Sequence, residues 1–289
     1  MTDRALSVVR AGVLTTVQDQ GRPGHAHLGV PRSGALDAPA AALVNRLVGN
    51  PPGAAVLETT VNGCALRPRS AVTVAVGGAP CPVTVNGRPA AWGAPLRLPA
   101  GAVLDVGSAV SGLRSYVGVS GGVTVEPVLG SRSTDLLSGL GPEPLTDGMV
   151  LPLGPEPAAH TRVDVAPQAA PPAELVLRVT LGPRDDWFTP DAVRVFTTRA
   201  YRVSPASNRI GLRTEGPVLE RALPGELASE GMVLGAVQVP PNGQPVVFLA
   251  DHPTTGGYPV IGVVRTTDLP AAAQAVPGTP VRFVAVRRL

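Results

Sequence analysis

Nine residues near the C-terminal end, Asp251-His252-Pro253-Thr254-Thr255-Gly256-Gly257-Tyr258-Pro259, gather most of the groups that chemistry on a polar ligand needs. The pair Gly256-Gly257 lets backbone N–H groups approach a ligand closely, and the hydroxyls of Thr254 and Thr255 can hydrogen-bond an anion or an amide. Tyr258 is held extended, because a residue before proline avoids the helical region. The stretch joins two apolar runs, Val246–Ala250 and Val260–Val264, each the length of a buried strand. It is too elaborate for a plain hairpin, so it is a candidate binding or catalytic loop carried on rigid strands. The alternative is a structured turn with buried hydroxyls.

Elsewhere the polar residues fall in three further segments set into an apolar chain: Thr16 to Asp37, Ser120 to Leu136 and Ser204 to Pro217. Arg22, Arg32 and Arg209 are candidate anion clamps, since a guanidinium matches carboxylate and phosphate with paired donors. Asp19, Glu215, Glu230 and Asp251 are candidate acids or bases. Gln18, Asn208, Gln238 and Gln244 have the side-chain amides that read an amide or carboxylate edge, and Ser207 stands beside Asn208. For each of these the competing reading is local: an ion pair, a turn cap or a turn brace. His25 and His27 share the first polar segment, and His252 lies in the last. Their spacing supports no metal site, and His27 is better read as an acid–base or hydrogen-bonding residue.

The elements that must carry these residues read as short strands. Leu6–Arg10 and Val13–Val17 look like a strand pair turning at Ala11-Gly12. The loop Gln18 to Pro39 is long enough to be functional. A helix follows over Ala38 to Val48, with Asp37 at its N-cap and Gly49-Asn50 at its stop. From Ala55 to Ser120 the pattern is β throughout, with Asn62-Gly63 and Asn86-Gly87 as hairpin turns. Ser133 is a plausible cap for a short helix over Thr134–Leu137. Ala166 to Pro172 reads as a linker, dividing an N-terminal β part (1–165, with the polar loop 18–39) from a C-terminal β part (173–289). Strands are expected at Leu175–Leu181, Val193–Thr197, Ala200–Val203 and Val281–Val286, and a short helix over Leu269–Val276 capped by Asp268.

Composition narrows the function. The 34 glycines and 33 prolines in 289 residues, with 44% hydrophobic residues, fit many strands joined by many turns. All 24 basic residues are arginine, which excludes a phosphate-loop lysine, a Schiff-base lysine and a lysine carrying biotin. A net charge of +3 and 3% aromatics argue against nucleic acid. Cys64 and Cys81 are expected to pack as small buried residues. No apolar run approaches membrane-helix length, so a soluble cytoplasmic protein is expected.

The three polar segments above and the stretch Ser229 to Val264 that contains the fourth, with Gly182 to Phe188 and Asp268 to Phe283, resemble in order those of the KipA-type family. That family also goes by the names of the 5-oxoprolinase C subunit, the second subunit of allophanate hydrolase, and biotin-dependent carboxyltransferase. The resemblance implies a mostly β, cyclophilin-like β-barrel architecture in two parts with a few short helices. It implies ATP-dependent opening of 5-oxoproline to glutamate, with a KipI-type B subunit and a LamB/YcsF-type A subunit as partners. ATP is the implied cofactor, bound here or on the partner, and no biotin is attached to this chain. Such chemistry activates the amide oxygen before water attacks, and needs charge stabilisation and a base. Two other activities fit the resemblance: carboxyl transfer from carboxybiotin to urea, and a regulator that antagonises a KipI-type kinase inhibitor without catalysis.

Overall fold

The computed structural model describes residues 4–157, 166–168, 170–225 and 227–287. They form two compact units. The first comprises residues 1–22, 33–135 and 139–171, and the second residues 23–32, 136–138 and 172–289.

The strands of the first unit are β1 (Ala5–Arg10), β2 (Thr15–Gln18), β3 (Val56–Thr60), β4 (Cys64–Pro68), β5 (Val72–Gly78), β6 (Val83–Val85), β7 (Arg88–Ala90), β8 (Pro95–Leu98), β9 (Leu104–Val106), β10 (Arg114–Val119) and β11 (Val150–Pro152). They make two sheets, ordered β11-β1-β4-β9-β6-β7 and β2-β3-β10-β5-β8. Alternate residues of both sheets, among them Leu6, Val17, Leu57, Leu66, Val74, Leu104 and Val117, share one buried apolar cluster. Cys64 and Cys81 are free and buried in it, and burial pushes the Cys64 thiol up to about 12.

Helix α1 (Ala38–Leu47) forms where its signals predict, with the Asp37 carboxylate accepting from Ala40 N–H at 3.1 Å. It packs Val44 and Leu47 over Val56, Ala75 and Tyr116. A Cβ at Gly118 would lie 2.8 Å from the Val44 carbonyl oxygen, so only glycine lets the helix lie this close to β10. Ala166 joins this buried cluster, and Gln168 accepts from Gly78 N–H at 2.9 Å.

The Asn86-Gly87 turn closes the β6–β7 hairpin with both residues at positive φ, +50° and +76°, as a two-residue type I′ turn requires. A Cβ at Gly87 meets nothing within 4 Å, so Gly87→Ala is penalised by backbone strain alone. Chemical denaturation should show a loss of about 1 kcal/mol with an unchanged slope.

The second unit holds a closed barrel of β12 (Leu175–Leu181), β13 (Ala200–Val203), β14 (Gly211–Glu215), β16 (Ala236–Gln238), β17 (Val246–Phe248), β19 (Val260–Val264) and β20 (Pro280–Ala285). Around it the order is β12-β19-β16-β17-β14-β13-β20, and parallel pairing of β12 with β20 closes the ring. A two-stranded ribbon, β15 (Glu230–Gly231) with β18 (Thr255–Gly256), stands beside the barrel strands in sequence but is a separate sheet. Helices α2 (Pro190–Thr198) and α3 (Leu269–Gln274) and three single-turn 3-10 helices, Ala26–Leu28, Asp185–Trp187 and Thr266–Asp268, belong to the same unit. Phe196 of α2 stacks on Phe283 of β20, with centroids 4.5 Å apart.

Five local expectations are corrected. β1 and β2 do not pair: β1 bonds β4 and β11, whereas β2 bonds β3 in the other sheet. Asn62-Gly63 is therefore no hairpin turn, because β3 and β4 also lie in different sheets. Thr134–Leu137 is not helical, and the Ser133 hydroxyl binds Asp19 instead of capping. Val193–Thr197 lies inside α2, whose start is fixed by Thr189 accepting from Ala192 N–H at 3.1 Å. Asp268 does not cap α3, since its carboxylate accepts from Arg178 N–H at 2.8 Å and from the Arg178 guanidinium.

Candidate functional site

The first unit contains a buried polar cluster in a setting that is otherwise apolar. It starts at the end of β2, where Gln18 is fully buried and donates from Nε2 to the Thr16 hydroxyl and the Thr134 carbonyl, both at 3.0 Å. Asp19 follows. Its carboxylate accepts from Gly21 N–H (2.8 Å), the Ser131 hydroxyl (2.6 Å), Arg132 N–H (2.6 Å) and the Ser133 hydroxyl (2.6 Å). Four donors fill the lone-pair positions of a carboxylate. Asp19 thus organises the 131–133 segment and does not stand ready to take a substrate proton.

Arg22 is also buried. Its guanidinium donates to the carbonyls of Val128 (3.3 Å) and Ser133 (2.5 Å) and to the Ser33 hydroxyl (2.8 Å), which in turn donates to Asp135 at 2.5 Å. A further node lies at Glu58, which accepts from Leu36 N–H (2.9 Å) and the Tyr116 hydroxyl (2.8 Å). Burial, and then the neighbouring Glu58 charge, push the Tyr116 phenol well above its ordinary range. Two side-chain atoms of the cluster lack partners: Gln18 Oε1 and Thr134 Oγ1 are buried without a hydrogen bond, although Gln18 and Thr134 are bonded to each other. A polar atom left so is costly, and marks a place where a ligand or ordered water completes the set.

The second unit holds its own buried pair. Arg209 and Asp251 meet side-on, Nε to Oδ2 at 2.9 Å and Nη2 to Oδ1 at 3.0 Å, with side chains 1% and 0% exposed. Asp251 also accepts from Leu136 N–H at 3.2 Å. Its neighbour His252 is buried, stacked on Phe248 with centroids 5.8 Å apart, and holds the Pro253 carbonyl at 2.7 Å from Nδ1.

Around this pair most predicted binders brace turns. Ser207 accepts from Arg213 N–H (3.0 Å), and Asn208 Oδ1 accepts from the N–H groups of Ile210 and Gly211. Gln244 binds both backbone groups of Gly216, at 2.9 and 3.0 Å. Glu215 accepts from the Ser204 hydroxyl at 2.6 Å. Gln238 is buried on β16 and donates to the Tyr258 carbonyl at 3.1 Å.

The residues of the 254–258 stretch are exposed or half-buried. The Thr254 carbonyl accepts from Met232 N–H at 2.8 Å, and Thr255 and Gly256 pair with Gly231 and Glu230. A Cβ at Gly257 would come 3.3 Å from the Leu227 carbonyl oxygen, and one at Gly256 only 2.6 Å from Gln238 Nε2. Tyr258 is exposed, with the Arg221 guanidinium 6.0 Å from its ring centre. Glu230 is held by Arg184, Nε to Oε1 at 2.9 Å and to Oε2 at 3.1 Å, and the guanidinium bond keeps its carboxyl below the usual range.

Arg32 and His27 are exposed on segment 23–32, which belongs to the second unit. His27 Nδ1 lies 3.1 Å from the Gly24 carbonyl, so a proton on Nδ1 donates there and leaves Nε2 to accept. The structure therefore assembles Gln18, Asp19 and Arg22 in one cluster and Arg209 with Asp251 in another. Sequence reasoning missed Ser33, Ser131, Thr134, Asp135 and Glu58 as members. The run Ser131-Arg132-Ser133-Thr134-Asp135, polar throughout between apolar neighbours, was the signal available.

Comparison with known proteins fits this architecture. The family model described as carboxyltransferase domain, subdomain A and B, matches residues 28–285. The chain is 37% identical over 282 residues to the 5-oxoprolinase C subunit of Escherichia coli (strain K12), covering 96% of this chain and 90% of that protein. It is 33% identical over 313 residues to urea amidolyase of Lachancea kluyveri, covering 98% of this chain but 17% of that one. Among solved structures, TTHA0988 superposes with a TM-score of 0.88 at 38% identity, over 97% of this chain and 55% of that chain. The K. lactis urea amidolyase superposes with a TM-score of 0.91 at 30% identity, over 99% of this chain and 19% of that one. The chain thus spans most of the Escherichia coli protein, about half of TTHA0988 and under a fifth of these urea amidolyases. With a family model covering most of its length and these relatives, the chain belongs to the carboxyltransferase-domain family, subdomains A and B.

Proposed function

We propose that this chain is the C subunit of an ATP-dependent 5-oxoprolinase. It acts in the cytoplasm with a KipI-type B subunit and a LamB/YcsF-type A subunit to open 5-oxoproline to L-glutamate. The observation that carries this reading is coverage: the similarity to the Escherichia coli C subunit takes in 96% of this chain and 90% of that protein.

The chemistry of the first cluster supports it. A five-membered lactam must hold its amide cis, which sets N–H and C=O side by side. Gln18 Oε1 needs a donor and the Thr134 hydroxyl has a proton to give. That pair matches a lactam edge, Gln18 accepting the N–H and Thr134 donating to the oxygen whose charge grows as the ring opens. Asp19 and Asp251 are left out as bases because each is occupied by donors of its own chain.

The described residues do not fit a nucleotide. The three buried arginines among the described residues, Arg22, Arg114 and Arg209, are each bonded or ion-paired within their own unit, and the sequence has no lysine. ATP is therefore assigned to one of the partners, and no step on this chain is routed through it.

Carboxyl transfer to urea is the second reading, favoured by the TM-score of 0.91 with K. lactis urea amidolyase. The two are separated by reconstitution with both partners. The expected result is glutamate formed together with ADP, with bicarbonate omitted and avidin present. Activity that needs bicarbonate, or that avidin abolishes, overturns the 5-oxoprolinase reading in favour of carboxyl transfer.

A further inference from the structure

A cleft lies in the barrel unit. It encloses about 680 Å³ and is walled by the end of β12 and the turn after it, by the β15 ribbon through Val233, and by Ala236, Val260 and Val263. This volume is ordinary for a small-molecule site. The walls are anchored: Gly182 and Arg184 donate backbone N–H bonds to the Ile261 and Val260 carbonyls, and Met232 donates to Thr254. Most of the lining is aliphatic, from Leu181, Pro183, Met232, Val233, Val260 and Val263, and among the described residues the only ionised side chain on it is Glu230.

Two details favour a ligand here over a mere crease. Gly231 lies on the lining, and a Cβ built there meets nothing within 4 Å, so glycine leaves open space at the wall. Glu230 retains acceptor capacity: Arg184 Nε bridges both oxygens and Nη2 binds Oε1, which leaves a lone pair on Oε2.

We propose that this cleft binds a small molecule with an aliphatic body and an N–H-donating head, a primary ammonium or an amide, received by Glu230. A carboxylate head binds more weakly, because the lining offers it no donor side chain and the nearest guanidinium, that of Arg184, is already paired with Glu230. The site is thus distinct in chemistry from one for 5-oxoproline, an anion, and it shares no residue with the proposed lactam edge at Gln18 and Thr134.

The test uses three probes that share a body and differ in head: hexylammonium, hexanamide and hexanoate. Ligand-detected NMR on the isolated full chain should show the first two binding with Kd on the order of 1 mM, and hexanoate at least tenfold weaker. The ammonium and amide arms identify which donor is preferred. Gly231→Leu, which fills the open wall, should abolish binding of both while circular dichroism and melting stay unchanged. Equal binding of all three probes, no binding of either donor, or binding that survives in folded Gly231→Leu each overturns the proposal. Should Gly231→Leu melt early, Glu230→Leu replaces it: the preference for the two donors over hexanoate should be lost, and its survival in the folded variant overturns the proposal. None of these readings uses catalytic activity, so the result is independent of the 5-oxoprolinase assignment.

Discussion

Arg209→Ala is expected to lower the unfolding free energy by about 3–5 kcal/mol, the range for breaking one side of a buried ion pair. The Asp251 carboxylate it leaves behind is fully buried, and removing the guanidinium takes away the charge that offsets its desolvation. Asp251→Leu should cost a similar amount, because it strands the guanidinium. The double variant Arg209→Met/Asp251→Leu separates pairing from packing. Two apolar side chains of similar volume often restore what a broken buried pair loses. The double variant should therefore recover to within about 2 kcal/mol of the parent, the remainder being the lost acceptor for Leu136 N–H. Urea denaturation of the parent, Arg209→Met, Asp251→Leu and the double variant gives the cycle directly. Additive losses would show that the two residues act separately, and would remove the ion pair as the link between the 208–211 turn and the 251 turn.

That pair also shows what was legible in the sequence and what was not. Arg209 and Asp251 were both singled out, but as separate actors, a clamp and a base. Their meeting spans a separation of 42 residues along the chain, and no local pattern encodes it. The same holds for Ser133, whose hydroxyl serves Asp19 at a separation of 114 residues although its neighbours read as a helix start. β1 and β2 were recognised as strands but given to each other, because sequence proximity suggests a hairpin while the sheets assign them to different layers. Where the determinants are local the reading succeeded. Asp37 ahead of α1 and Asn86-Gly87 between β6 and β7 each need only a few residues to specify their geometry. Val193–Thr197 failed for a local reason too: its β-branched residues suggested a strand, and Thr189-Pro190, a cap followed by a first-turn proline, outweighed them. The mostly β character followed from the turn-rich, apolar composition, whereas the closed barrel of the second unit was implied by the family resemblance alone.

Thr134→Val is the sharpest test of the proposed lactam edge, because structure and function predict opposite outcomes for it. Valine matches threonine in shape, and the backbone bonds of residue 134, its N–H to the Val17 carbonyl and its carbonyl to Gln18, are untouched. The hydroxyl it removes is buried and has no protein partner. Deleting such a group takes away a desolvation penalty and no bond, so stability should hold or rise slightly, by up to about 1 kcal/mol. If the hydroxyl donates to the amide oxygen of the substrate, the developing negative charge loses one buried donor. Loss of a single donor of this kind lowers turnover by about 100-fold, ~2.7 kcal/mol. The measurement is glutamate formed per minute in the three-component complex, alongside a thermal melt of the variant chain. Thr134→Ser, which keeps the donor and drops the methyl, should retain activity within about tenfold while losing some stability to the small cavity. Full activity in Thr134→Val would show that the buried hydroxyl faces no reacting atom, and would move the lactam away from Gln18 and Thr134.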